Sequence, residues 1–386
     1  MRVALLTDGI WPYVLGGMQK HSYYICKYLA QNGVEVHLFH FNQSQYDIRQ
    51  LEFFTDEEKK FIRSRVLEFP KSPGFPGHYL YDSYRYSKQI YNSIKGELNT
   101  FDFIYSKGFS AWYLIEQKKK GRIKCPPIGV KFHGYEMFQT SPDLKTKLQH
   151  MVLLRRPVKW ISQQADVVFS YGGKITDLIE SIGVKRKNII ELPSGLEAGS
   201  AADEISETHV PPRFLFLGRY ERRKGIEELN QALKGLFAEK EVPAFEMHFV
   251  GPIPEDKKIT HPQVVYHGEI RDKKKLTHTL RSCDVLLCPS WSEGFPNVLL
   301  EAMGNGLTVL ATDVGAVSVL VNSSNGLLMA NADSHTIKEA IKTFLSLDQQ
   351  HLLSMKKNAL HTISNRFVWE KLIPVIISKL QAIKAN

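Results

Sequence analysis

The segment from Glu293 to Glu301 carries two carboxylates across a predicted strand-to-helix turn. An apolar run precedes it, Gly294 allows the chain to turn, and Asn297 begins an apolar helix. Glu293 would then face a ligand at the turn, with Glu301 about two helical turns further on. Carboxylates placed in this way accept hydrogen bonds from sugar or ribose hydroxyls. A charge that stabilises the helix N-terminus would explain Glu293 in part, but not Glu301, which lies inside the helix.

A second candidate is the basic segment that begins at Gly218 and Arg219 and ends at Lys224 and Gly225. It follows the first predicted strand of the second half of the chain. Two cations at the end of a strand would neutralise a departing diphosphate in a transition state. A solvated run of charges is an equally good interpretation of the segment alone, and it fits the two arginines between Arg219 and Lys224.

The first half contributes a glycine pair and a histidine. Gly16 and Gly17 follow the first predicted strand and precede a helix, whose N-terminal N–H groups could bind an anion. An ordinary turn is the alternative, and the spacing matches neither the dinucleotide-binding nor the P-loop motif. His133, at the end of another strand, could bind a hydroxyl or a phosphate, although a single histidine is more often structural.

Strands and helices alternate in both halves of the chain, which predicts an α/β fold with one parallel sheet in each half. Ligands of such sheets bind at the carboxyl ends of the strands, so two sheets facing each other would form a cleft. Residues 197–212 have the composition of a linker, and Gly33 is predicted to end a helix that covers residues 21–32. Residues 53–91, with ten Phe and Tyr residues and three prolines, are predicted to form a long loop.

The net charge is unevenly distributed along the 386 residues. Residues 1–196 carry 28 basic and 18 acidic side chains, whereas residues 197–386 carry 22 of each. A basic half indicates an anionic partner: nucleic acid, an anionic membrane leaflet or a phosphorylated substrate. In residues 145–160, a helix packed on its own sheet is slightly favoured over a basic membrane-surface helix, and Pro157 is expected to interrupt either.

Four scattered cysteines with no C-x-x-C pair argue against a disulfide framework or a zinc knuckle. Neither a signal peptide nor an uninterrupted apolar run of about 20 residues is evident. We therefore expect a soluble, cytoplasmic protein.

Taken together and in order, these motifs resemble the family 4 retaining glycosyltransferases, which have the two-domain GT-B architecture. The resemblance covers nearly the whole chain. Beyond the residues already named, it includes the junction Pro193-Ser-Gly-Leu-Glu197 and the C-terminal stretch Arg366-Phe-Val-Trp-Glu370. It implies an acceptor-binding Rossmann-like domain (residues 1–196), a donor domain (197–365) and a C-terminal helix (366–386) that packs back on the first domain.

The resemblance also implies the role of each site residue. Glu301 would bind the ribose and Glu293 the transferred sugar of a nucleoside diphosphate sugar. Arg219 and Lys224 would neutralise the diphosphate, assisted by the Gly17 N–H group, and His133 would contact the donor sugar. The further donor-binding positions are Gly16, Gly218, Gly294, Phe295, Pro296 and Asn297. The absence of a D-x-D motif fits a reaction that needs no metal ion or other cofactor.

The resemblance leaves the substrates open. A uridine diphosphate hexose or N-acetylhexosamine is the expected donor, with GDP-mannose as an alternative, and the expected acceptor is a glycan or a lipid-linked glycan at an anionic membrane. Two departures from the family pattern are Ser194, where Asn is usual, and Ser318, where Glu is common. The rival interpretations are a GT-B sugar-nucleotide epimerase, which needs no acceptor, and a basic nucleic-acid-binding protein, which would leave both glutamates unexplained.

Overall fold

The computed structural model describes residues 1–14, 16–41 and 51–385. It divides the chain into two compact units, each described separately below. The first unit comprises Met1–Tyr135, Gln149–Pro193 and Trp369–Asn386, and the second comprises Glu136–Leu148 and Ser194–Val368. The segment Glu136–Leu148 therefore belongs to the second unit, although it lies within the sequence expected for the first domain.

Thirteen strands in the described part of the chain form two sheets, and every strand pairing in both sheets is parallel. The first sheet has the order β3-β2-β1-β4-β5-β6-β7 and the second the order β10-β9-β8-β11-β12-β13. The fold is thus two Rossmann-like α/β domains, as predicted. The strands are β1 (Arg2–Leu6), β2 (Glu35–His40), β3 (Ile62–Val66), β4 (Phe103–Lys107), β5 (Ile128–Lys131), β6 (Val167–Ser170), β7 (Ile189–Glu191), β8 (Arg213–Leu217), β9 (Glu246–Val250), β10 (Val264–Gly268), β11 (Val285–Cys288), β12 (Thr308–Thr312) and β13 (Gly326–Met329).

Helices cover the two sheets and supply the apolar faces that bury the strands. They are α1 (Gly17–Gln31), α2 (Asp56–Lys59), α3 (His78–Ile94), α4 (Trp112–Lys119), α5 (Leu144–Gln149), α6 (Arg155–Gln164), α7 (Lys174–Ser181), α8 (Ile226–Phe237), α9 (Lys273–Arg281), α10 (Asn297–Gly304), α11 (Val317–Leu320), α12 (Ser334–Leu345), α13 (Gln349–Arg366) and α14 (Trp369–Ala385). None of the described helices is both long and apolar enough to cross a bilayer.

The C-terminal helix α14 packs against α1 in the first unit. Trp369, Ile373 and Leu380 on one face of α14 are completely buried. The Trp369 ring stacks on Tyr28 of α1 at 6.0 Å between centroids, and the Tyr28 hydroxyl donates a hydrogen bond to Glu370 at 2.8 Å. Both elements therefore stabilise the outer layer of the first sheet.

The prediction of a long loop over residues 53–91 is wrong, because α2, β3 and most of α3 lie there. β3 is an edge strand in which only Ile62 is buried, so it shows no apolar run. The buried face of α3 includes Asp82, Ser83 and Ser87, which conceal its helical periodicity in the sequence. The prolines and aromatic residues between β3 and α3 also favour interpretation of the segment as a loop.

Pro157 does not interrupt the helical run that contains it. A π-helical turn, His150–Leu154, lies between α5 and α6, and Pro157 is the third residue of α6. A proline has no N–H group to donate and its ring crowds the carbonyl four residues earlier. The π turn widens the helix just before the proline, which is a common way to relieve this conflict.

Candidate functional site

The carboxyl edge of the second sheet brings Glu293 and Lys224 together. Glu293 follows β11 and is 6% exposed. Lys224 lies in the loop between β8, which is the neighbour of β11 in the sheet, and α8. The Lys224 Nζ atom is 2.6 Å from Glu293 Oε1, and the Ser290 hydroxyl donates to the same oxygen at 2.8 Å. The two residues predicted from separate motifs thus form one buried ion pair at the edge where ligands of parallel sheets bind.

The electrostatic balance keeps Glu293 ionised. Burial by itself raises the pKa of this carboxyl, but the positive charges of Lys224 and Arg223 and the hydrogen bonds from Lys224 and Ser290 outweigh it, so the pKa is lowered. The carboxylate is directed toward these partners. Helix-terminus stabilisation is therefore not needed to explain its position.

The structure separates Arg219 from this pair. The Arg219 side chain is 74% exposed and pairs with Glu221 at 2.7 Å. Arg223, interpreted from the sequence as a solvated charge, lies closer to the site, with Nη1 3.7 Å from Glu293 Oε2. The adjacent glycine favours Arg219 in the sequence, but Arg223 lies closer to Glu293, since it is part of a short 3₁₀ turn at Arg222–Lys224.

Glycines allow the loops of this edge to approach one another closely. Gly225 has a φ of +68°, and a Cβ atom there would overlap the carbonyl oxygen of Pro289. Gly315 has a φ of +57°, and a Cβ atom there would overlap the carbonyl oxygen of Glu293. The Ala316 N–H group donates to Gly294 at 3.0 Å, so the segment that contains the departure at Ser318 does contact the turn, whereas Ser318 itself is exposed.

The Gln139 side chain forms hydrogen bonds with both backbone polar groups of Glu293. Its side-chain amide donates to the Glu293 carbonyl at 2.8 Å and accepts from the Glu293 N–H group at 3.3 Å. Gln139 belongs to the segment Glu136–Leu148 of the second unit, 154 residues away in the sequence. No motif marks it, so sequence reasoning missed it.

The remaining donor-site candidates line the start of α10. Gly294, Phe295 and Pro296 are buried and Asn297 is the first residue of the helix. Glu301 is half-buried on α10, where its backbone carbonyl accepts a hydrogen bond from the Asn305 side chain at 2.8 Å. Gly218 directly follows β8, and its N–H group donates to the Val250 carbonyl at 2.9 Å.

The carboxyl edge of the first sheet carries the glycine pair and His133. Gly16, with a φ of +154°, precedes α1, and Gly17 is its first residue, so the helix begins four residues before the predicted position. His133 follows β5, accepts or donates a hydrogen bond at Nδ1 to the Tyr171 hydroxyl at 2.5 Å, and bonds the backbone of Gly17. The structure therefore links the histidine directly to the glycine loop.

Two completely buried lysines surround His133, and neither was identified from the sequence. Burial and the charge of Lys107 hold the pKa of His133 well below its usual value, so the ring is neutral. Lys107 Nζ lies 2.7 Å from His21 Nδ1, and burial lowers the pKa of this lysine to about 7. Lys131 donates to the Leu192 carbonyl and lies 3.7 Å above the Tyr171 ring. Each of these lysines is the last residue of a buried strand, β4 or β5, and a charged residue at that position was a signal in the sequence that could have identified both.

Comparison with known proteins assigns both halves of the chain. A family described as Glycosyltransferase Family 4 matches residues 15–199, and one described as Glycosyl transferases group 1 matches residues 211–346. An uncharacterised glycosyltransferase of Methanocaldococcus jannaschii is 24% identical over 377 residues, 96% of this chain and 95% of that protein. A phosphatidyl-myo-inositol mannosyltransferase of Mycolicibacterium smegmatis is 32% identical over 182 residues, which span 44% of this chain and 46% of that protein.

Among solved structures, sucrose-phosphate synthase of Thermosynechococcus elongatus superposes with a TM-score of 0.76 over 100% of this chain and 99% of its own, at 18% identity. At that identity the likeness concerns the fold alone.

Proposed function

Since the chain belongs to the family 4, group 1 glycosyltransferases, we propose that it transfers a hexose or N-acetylhexosamine from a nucleoside diphosphate sugar to a glycan or lipid-linked acceptor. The transfer retains the anomeric configuration, needs no metal ion and serves the synthesis of a surface polysaccharide or glycolipid. The observation that carries the proposal is the buried ion pair between Lys224 and Glu293 at the carboxyl edge of the second sheet.

In this proposal the second unit binds the donor. Glu293 accepts hydrogen bonds from hydroxyls of the transferred sugar, for which its lowered pKa keeps it ionised. Lys224, beside it, and the exposed Arg219 neutralise the diphosphate as negative charge develops on the leaving group. Glu301 accepts hydrogen bonds from the ribose hydroxyls. No step requires a carboxylate nucleophile, because the leaving phosphate oxygen takes the proton of the acceptor hydroxyl on the same face of the sugar.

The first unit contributes a neutral histidine and the N-terminus of α1. His133, held between Tyr171 and Gly17, offers a polar ring nitrogen to the donor sugar without adding charge. The N–H groups at the start of α1 favour the diphosphate, since a helix N-terminus stabilises an anion. Phosphate neutralisation in this proposal is therefore shared between side-chain cations and backbone dipoles.

The acceptor in this proposal is carried by a lipid at the cytoplasmic face of an anionic membrane. The mycobacterial relative is named for a phosphatidyl-myo-inositol substrate, which supports a lipid acceptor. The excess of ten basic side chains in residues 1–196 favours peripheral contact with anionic headgroups. Binding to vesicles should rise with anionic lipid content and fall with added salt, because attraction at a surface is screened over about 8–10 Å.

The direct test measures release of free nucleoside diphosphate from UDP-glucose, UDP-N-acetylglucosamine, UDP-galactose and GDP-mannose, with and without lipid-linked glycans extracted from bacterial membranes. The proposal predicts that one donor is consumed, only when the extract is present, and equally in the presence of a chelator. An epimerase would instead isomerise the donor without acceptor. Tight, salt-dependent binding of DNA or RNA with no donor consumption would favour the nucleic-acid-binding alternative.

A further inference from the structure

A cavity of about 490 Å³ lies in the first unit, away from the residues assigned above. It is enclosed by the start of α3 with the residues just before it, and by the π turn that precedes α6. Its lining is mainly apolar and includes Phe75, Gly77, Tyr79, Leu80, Leu153 and Leu154. A largely apolar cavity of roughly 300–1,000 Å³ is typical of small-molecule binding sites.

Two local backbone features shape this cavity. Gly77 caps α3 in the left-handed region with a φ of +89°, and a Cβ atom there would meet Leu153 at 3.6 Å. The π turn His150–Leu154 turns the apolar side chains of Leu153 and Leu154 toward it. The cavity therefore depends on the unusual helix that accommodates Pro157.

Exposed apolar side chains lie on the two segments that line the cavity. Phe75 and Tyr79, which line it, are 45% and 49% exposed, and Tyr81 of α3 and Met151 and Val152 of the π turn, close to lining residues in the sequence, are 53%, 45% and 62% exposed. Soluble proteins rarely expose such groups together unless they contact a ligand, a membrane or another protein.

Ring contacts connect the lining residue Tyr79 to the candidate site of the first unit. The Tyr79 ring packs edge-on against Phe109 at 6.1 Å, and Phe109 packs against Phe132, the neighbour of His133, at 5.4 Å. A ligand in the cavity would thus extend toward the carboxyl edge of the sheet.

Basic side chains lie on α3 and on α6, and one carboxylate close to the cavity, that of Asp82 on α3, is buried and lies 3.8 Å from His78. Residues 150–164, which form the π turn and α6, carry three arginine or lysine side chains and no acidic one. Arg156 and Lys159 among them are exposed. On α3, the guanidinium of Arg85 lies 5.5 Å above the Tyr81 ring. An apolar cavity next to exposed cations is complementary to a molecule that joins a hydrocarbon chain to a phosphate.

We propose that this cavity binds the hydrocarbon chain of the lipid-linked acceptor, with the lipid phosphate beside α6 and the glycan at the carboxyl edge of the first sheet. The identity of the ligand rests on the proposed function. Binding of a hydrocarbon chain in the cavity, however, can be measured without sugar transfer. It distinguishes a site for one lipid chain from a surface that merely inserts into a bilayer.

The test uses alkyl phosphates as probes, titrated calorimetrically below their critical micelle concentrations into the full chain. Dodecyl phosphate should bind with a stoichiometry of one and at least a hundredfold more tightly than butyl phosphate, because each buried methylene adds to affinity. A neutral dodecyl glycoside should bind at least fivefold more weakly than dodecyl phosphate. Equal affinity for the dodecyl and butyl compounds would overturn the proposal.

Leu153→Trp fills the cavity and should weaken the binding of dodecyl phosphate at least tenfold. The matched control is Leu144→Trp, since Leu144 is 83% exposed and does not line the cavity. Phe75→Ser, at an exposed lining residue, should also weaken binding, and it keeps the test valid if Leu153→Trp does not fold. Unchanged affinity in both folded variants would overturn the proposal.

Vesicle binding separates a chain site from a membrane-inserting surface. Leu153→Trp should still bind anionic vesicles within twofold of the wild type, and parallel loss of vesicle binding would contradict a site for a single chain. Failure of the proposed function is recognised separately. In that case dodecyl phosphate binds as described, yet no lipid extract promotes release of nucleoside diphosphate.

Discussion

Lys224→Met probes the buried ion pair at the edge of the second sheet. The Glu293 side chain is 7% exposed, and after the substitution its partners are Ser290 at 2.8 Å and Arg223 at 3.7 Å. Loss of one member of a buried pair costs about 3–5 kcal/mol of unfolding free energy, because the other charge stays buried. Since Lys224 is 18% exposed and two partners remain, we expect about 3 kcal/mol at pH 8.

The dependence of this loss on pH identifies its cause. In the wild type the lowered pKa of Glu293 stabilises the fold above the unfolded pKa of ~4.3, and this contribution disappears as the pH falls through the lower folded value. Without Lys224, burial dominates and raises the pKa of Glu293, so the variant gains stability as the pH falls from 8 to 5. The difference between variant and wild type should therefore shrink toward low pH.

Urea unfolding of the full chain at several pH values, followed by circular dichroism, measures both effects. Lys145→Met, at an exposed lysine of the same unit, should stay within about 0.5 kcal/mol of the wild type. Adding Glu293→Gln to Lys224→Met should restore part of the lost stability, because the uncharged amide needs no cation. A loss below about 1 kcal/mol at pH 8, or one that does not change with pH, would refute the reasoning.

Two further predictions concern buried and closely packed positions of the second unit. Lys356→Met should cost about 3–5 kcal/mol in urea unfolding, because Lys356 Nζ lies 2.9 Å from Asp284 with both side chains fully buried, whereas Lys357→Met at the exposed neighbour should be neutral. Gly315→Ala should reduce the rate of sugar transfer at least tenfold, because the new Cβ atom would overlap the Glu293 carbonyl oxygen at the turn after β11. The control is Gly199→Ala, where φ is +76° but the space around the Cβ atom is open, so this variant should have only the backbone strain and should keep the wild-type rate of transfer.

Elements with a clear apolar period were predictable from the sequence. α8 (Ile226–Phe237) has such a period, since Ile226, Leu229 and Leu233 are completely buried on one face and Gly225 breaks the chain before it. Lys224 and Glu293 were each predicted to lie in a loop after a strand, and their pairing depends on the order of the strands. β8 and β11 are neighbours in a parallel sheet, so the two loops meet at one edge.

Contacts between distant parts of the chain were not predictable. Gln139 reaches Glu293 across 154 residues, and Tyr171 reaches His133 across 38. Neither residue belongs to a motif, and their positions follow from packing that local periodicity does not encode. The contact of Lys107 with His21 likewise joins residues that are 86 apart in the sequence.

The most direct test of the proposed donor site is calorimetric titration of UDP and GDP into the wild type, Glu301→Gln and Glu293→Gln. The ribose is present in the free nucleotide, so Glu301→Gln should weaken nucleotide binding by about 1.5–3 kcal/mol, the value of a hydrogen bond to a charged group. The transferred sugar is absent from it, so Glu293→Gln should leave nucleotide affinity nearly unchanged while sugar transfer falls sharply. Loss of nucleotide affinity in Glu293→Gln as large as in Glu301→Gln would contradict the assignment of the two glutamates.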